Sequence, residues 1–180
     1  MVPWVRSGSR FIVTAAIVSM LSQGEEPPTP ARVIEQDLGP IRNFVRNIQV
    51  KVQNNVVGIA AAGEAKIEGW AALCCTRNVL TLRKLTRSLE RNATDLLKIS
   101  RKAGREDGAR GSASLITDAK AFQKILEQFA AAPDRASAIT ALGSLNRAVL
   151  KLEKDRKDLE SCCDDLPLSG GKARGPESRP

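Results

Sequence analysis

Two pairs of adjacent cysteines, Cys74-Cys75 and Cys162-Cys163, carry the most varied chemistry open to this chain of 180 residues. Four thiolates could hold zinc, or the pairs could form a disulfide framework. Zinc frameworks space their ligands by two to four residues, and neighbouring cysteines on one helix diverge by about 100°. In an up-down helical bundle the two pairs lie on the order of 30–40 Å apart, against the roughly 6 Å between α-carbons that a disulfide spans. They are therefore not expected to join within one molecule. The plain expectation is that Cys74 and Cys75 are ordinary small helix residues and Cys162 and Cys163 exposed thiols.

Other reactive groups are scarce. The chain has no His, which removes the commonest general base and the commonest metal ligand. Glu64, Glu68 and Glu127 show no spacing beyond that of an ordinary helix surface. No catalytic, cofactor-binding or metal-ligating residue stands out, and the expectation is a protein that is not an enzyme.

The remaining chemistry is charge. Lys and Arg number 28 against 20 Asp and Glu, a net of +8, with a pI near 9.7. From Arg77 to Arg105 there are nine basic residues and two acids, Glu90 and Asp95, so a local net of +7 holds most of the excess. Arg77, Lys84, Arg91 and Lys98 fall seven apart, with Arg87, Arg101 and Lys102 close to that line. Leu82, Leu85, Leu89, Leu96 and Ile99 form an apolar line of helical period; Lys84 sits roughly 200° from Leu82, so the basic line faces away from it. The bland reading is a solvated helix face. The sharper one is a docking surface for an acidic partner made of Arg77, Lys84, Arg87, Arg91, Lys98, Arg101 and Lys102. Nucleic acid is disfavoured as that partner, since no aromatic residues interleave with the charges and no reading motif is present.

The elements that must position this face read as helices. Aromatics are 3% and Tyr is absent, no alternating strand pattern appears, and the length allows one domain with one core. Arg6 and Arg10 precede the apolar run Phe11 to Leu21, so residues 1–23 read as a targeting or anchor segment that could contact a membrane; the run is shorter than the roughly 20 residues a spanning helix needs. Residues 24–40 read as an extended, proline-containing spacer, with a short helical turn before Gly39 and Pro40 as the first-turn proline of the next helix.

Four amphipathic segments then occupy residues 41–163. Helix 1 is expected from Ile41 to about Ala62, on Ile41, Phe44, Val45, Ile48, Val52, Val56 and Ile59. Helix 2 is expected from Glu64 to about Lys102, followed by a mobile loop over residues 102–111 with its three glycines. Helix 3 should start near Ser112 or Ser114 and carry Leu115, Ala119, Phe122, Leu126 and Phe129. Pro133 should end it, and Asp134 should cap helix 4, from Arg135 to Cys162. Ile139, Leu142, Leu145, Val149, Leu152 and Leu159 hold its seam, with a close helix approach expected at Gly143. The fold class is all-α, an up-down-up-down four-helix bundle. Residues 164–180 lack apolar periodicity and read as a disordered tail.

The order of features resembles a known family. Trp70, Arg77, Asn78, Leu82, Leu85, Leu89, Arg91, Asn92, Leu96 and Leu97, followed by Phe122, Ala130 to Ala132 and the seam from Ala138 to Leu152, are similar to the pattern of PsbQ, the extrinsic lumenal subunits of photosystem II. The likeness spans residues 67–152. It implies a four-helix bundle behind a proline-containing N-terminal segment, peripheral to the thylakoid membrane in the chloroplast lumen. It also implies a non-catalytic role: docking by basic residues on the photosystem II core and its other extrinsic subunits, and support of calcium and chloride retention by the oxygen-evolving centre. Two alternatives stand beside it, a membrane-anchored accessory subunit of another organellar complex and a basic helical nucleic-acid-binding module.

Overall fold

The structure, a computed structural model, describes residues 29–55 and 69–163. They form four α-helices: α1 Pro30–Gln53, α2 Thr76–Lys102, α3 Glu106–Ala130 and α4 Arg135–Cys163, with one 3₁₀ turn, Trp70–Leu73, ahead of α2. Each helix packs on its two neighbours in a ring, α1 on α2, α2 on α3, α3 on α4 and α4 on α1. Cross-contacts set the directions. Asp37 of α1 meets Asn92 of α2, while Lys51 near the other end of α1 reaches Cys74 O. Glu35, Arg42 and Gln49 of α1 meet Arg156, Glu153 and Asn146 of α4 in reversed order. Neighbours run antiparallel, so this is the up-down-up-down bundle that four amphipathic stripes require.

The core is aliphatic with two aromatic side chains. Ile34, Leu38, Ile41 and Ile48 from α1, Leu82 and Leu89 from α2, Leu115, Phe122, Leu126 and Phe129 from α3, and Leu145 and Leu152 from α4 are fully enclosed. Each such side chain contributes roughly 1.5–3 kcal/mol by leaving water, so the inward stripes supply the main attraction between the helices.

α1 begins eleven residues earlier than the pattern predicts, inside the segment read as a spacer. Thr29 caps it, its Oγ1 accepting from Arg32 N at 3.3 Å, and Pro30 occupies the first turn, where a missing N–H costs nothing. The helix continues through Gly39-Pro40 instead of starting there. Inside a helix a proline ring crowds the carbonyl four residues back and the Cβ of the residue before it, and Gly39 has no Cβ. Burial of Ile34 and Leu38 on the same stripe as Ile41 offsets the lost hydrogen bond. The helix ends at Gln53; the part of the expected helix over residues 56–62, and of helix 2 over residues 64–68, lies outside the described residues, as do residues 1–23 and 164–180.

Helix 2 is not continuous through the cysteines. The chain makes the 3₁₀ turn, closes a disulfide between neighbours Cys74 and Cys75, and enters α2 at Thr76. Cys75 has φ −135° and is 1% exposed, so neither cysteine is an ordinary helix residue. Cys162 and Cys163 are likewise closed on each other, and Cys163, at 1% exposed, is no exposed thiol. The two pairs remain unjoined: Cys75 lies by the α3–α4 turn, where Trp70 N bonds Ala132 O, and Cys163 at the opposite end against Gly108.

The glycine-rich stretch after α2 is mostly helix. Only Ala103, Gly104 and Arg105 turn the chain, with Gly104 at φ +68°, a conformation that favours glycine. α3 then starts at Glu106, ahead of Ser112 and Ser114, which lie inside it. Gly108 and Gly111 sit where α3 crosses α4: a Cβ on Gly108 would stand 2.8 Å from both Cys163 Sγ and Ser100 Oγ, and one on Gly111 3.0 Å from Leu159. They are close-approach residues, whereas Gly143, the expected one, has only Arg147 Nη1 at 4.0 Å. The break at Pro133 and the Asp134 cap are as read, Asp134 Oδ1 accepting from Ser137 N at 2.8 Å. Ile139 leaves the seam, 48% exposed, and Ala138 takes its place in the core.

Candidate docking surface

α2 turns Leu82, Leu89, Leu96, Val79 and Ala93 into the core; Leu85 and Ile99 sit at its edges, only partly covered. The buried line and the line Arg77, Lys84, Arg91, Lys98 are on opposite sides because the two sets are offset by about half a turn. All seven residues expected to dock, Arg77, Lys84, Arg87, Arg91, Lys98, Arg101 and Lys102, are at least partly exposed. Successive members of the heptad line are separated by about 10.5 Å along the axis.

These cations contribute little to holding the bundle together. Among the described residues only Lys98 meets an acid, Asp95 at 2.9 Å on the same helix, and Arg91 Nε donates to the carbonyl of Arg87 at 3.3 Å. Arg77, Lys84, Arg87, Arg101 and Lys102 form no ion pair among the described residues. The basic residue that does serve the fold is Arg83, outside the docking line, whose Nε and Nη2 donate to the two carboxylate oxygens of Glu127 on α3 at 2.9 and 2.5 Å. The division between folding and spare charge thus runs along α2 face by face.

An open groove of about 750 Å³ runs over this face, lined by Lys84, Arg87, Glu90, Arg91, Thr94, Asp95 and Lys98. In the sequence Glu90 and Asp95 read only as subtractions from the charge. The structure places both in the groove, with Glu90 reached by Lys120 of α3 at 3.5 Å. That contact needs the α2–α3 register, so no local signal announces it. Once Glu90 and Asp95 have their partners, Lys84, Arg87 and Arg91 remain as three uncompensated cations within about two turns of helix. Such a cluster attracts carboxylates or other anions and is screened by salt.

Among the described residues no group of His, Cys, Asp or Glu has the arrangement of a metal site, and no helix is long and apolar enough to cross a membrane. No family model, curated protein or solved structure matches this chain.

Proposed function

We propose that this bundle is a non-catalytic docking subunit whose α2 basic face binds an acidic surface on a larger protein complex. The observation that carries the reading is the set of exposed cations Arg77, Lys84, Arg87, Arg91, Arg101 and Lys102, none of which forms an ion pair among the described residues. Spare charge of one sign, aligned on one face opposite the core, is what an electrostatically steered interface needs.

The finer reading rests on the resemblance to PsbQ: an extrinsic subunit of photosystem II in the chloroplast thylakoid lumen, where docking would help the oxygen-evolving centre retain calcium and chloride. The mixed signs in the groove favour a protein partner over a nucleic acid. A continuous phosphate backbone would run against Glu90 and Asp95, while a protein surface can place its carboxylates beside Lys84, Arg87 and Arg91 only.

Washing native membranes at about 1 M NaCl, where the screening length falls to about 3 Å, should release the protein, and returning to low salt should rebind it. Retention of the whole population at high salt sinks charge docking. Release from membranes that contain no photosystem II would leave the docking mode standing and remove the photosystem assignment.

A further inference from the structure

The two cysteine pairs share a build that docking does not use. In each, the second sulfur belongs to the core, Cys75 and Cys163 being 1% exposed, while the first, Cys74 or Cys162, is only partly buried. In each, a cation from elsewhere in the chain donates to the carbonyl of the first cysteine: Lys51 Nζ to Cys74 O at 3.3 Å, and Arg105 Nη2 to Cys162 O at 2.5 Å. In each, the buried cysteine meets the start of a helix. Cys75 immediately precedes α2, and Cys163 Sγ rests against Gly108, the third residue of α3, at a place only glycine leaves open.

We propose that Cys74–Cys75 and Cys162–Cys163 are two-electron redox sites that exchange with small thiols or protein dithiols. The incoming thiolate attacks the more open sulfur, Cys74 or Cys162. A mixed disulfide forms there, the S–S bond breaks, and its electron pair leaves on Cys75 or Cys163, which then takes a proton. A second thiol of the reductant displaces the protein sulfur, so the reductant ends as a disulfide and the protein pair gains two electrons and two protons. The helix start that each buried cysteine meets favours the departing thiolate. Accessibility sets the direction of attack, because Cys75 and Cys163 are buried and Cys74 and Cys162 only partly so.

The test uses the full chain and is independent of any docking partner. The oxidised protein should gain the mass of four hydrogens on treatment with a phosphine reductant, two for each pair. Limiting reduced glutathione followed by acid quenching and peptide mapping should place the adduct on Cys74 and Cys162 at least about tenfold over Cys75 and Cys163. An unchanged mass, a linkage between the two pairs or between two chains, or adducts shared equally with Cys75 and Cys163 overturns the proposal.

Discussion

Replacing Asp155 with Asn should make the bundle more stable at neutral pH and flatten its pH dependence. Asp155 projects from α4 toward α3 and is 5% exposed. Its Oδ1 accepts from Ser114 Oγ at 2.9 Å, and its Oδ2 is enclosed with no hydrogen bond among the described residues. Burial, opposed by the Ser114 hydrogen bond and reinforced by Asp118 on α3 and Asp158 on α4, pushes its pKa from the ordinary 3.8 up to about 6. A raised carboxyl pKa means that folding favours the protonated form. The stabilisation is complete below pH 3.8, declines as pH rises, and is gone above about 6. The displacement of about two on the pH scale sets a ceiling of about 3 kcal/mol, and local relaxation and water penetration around the buried charge bring the expected penalty to about 1–2 kcal/mol. Asn keeps the acceptor for Ser114 and never ionises. Urea unfolding of both proteins at intervals from about pH 4 to 8 should show the variant gaining about 1–2 kcal/mol over the parent across that range. A difference between the two proteins that stays constant with pH refutes the argument.

Two glycine substitutions should move stability in opposite directions. Gly108→Ala drives a methyl group into Cys163 Sγ and Ser100 Oγ and should cost about 1–3 kcal/mol in denaturant unfolding. Gly143→Ala meets only Arg147 Nη1, at 4.0 Å, and should add up to about 1 kcal/mol. A double-mutant cycle on Arg83 and Glu127 should return a coupling of about 0.5–1 kcal/mol, since the bidentate contact is partly exposed; a zero coupling would place the pair outside the forces joining α2 to α3.

The features legible in the sequence are those that local forces decide. The α3 stripe of Leu115, Ala119, Phe122, Leu126 and Phe129 is buried throughout, because period alone sets a helix face. The opposition of Leu82, Leu89 and Leu96 to the basic line on α2 is readable for the same reason. Three features depend on packing between helices. Gly108 and Gly111 read as loop residues because their role is clearance for Cys163 and Leu159, which lie some fifty residues away in the chain. Pro40 reads as a helix start because its tolerance depends on Gly39 before it and on the burial of Ile34 and Leu38. Ile139 reads as seam, but the packing of α4 against α1 and α3 selects Ala138 one residue earlier. On the docking face the positions of the cations are legible, and the presence of Glu90 in the groove beside Lys120 is not.

The central claim is that the exposed cations of α2 bind and do not fold. Its most direct test is the affinity of the Arg77→Glu, Lys84→Glu, Arg91→Glu, Lys98→Glu protein for the native membranes from which high salt has released the parent, measured beside the parent at low salt with circular dichroism of both. Four exposed ion pairs at about 0.2–1 kcal/mol each sum to about 1–4 kcal/mol, and reversal adds repulsion, so binding should weaken by at least about tenfold while helix content stays unchanged. Equal binding by the two folded proteins would contradict the account, as would loss of helix content with normal binding by the folded remainder.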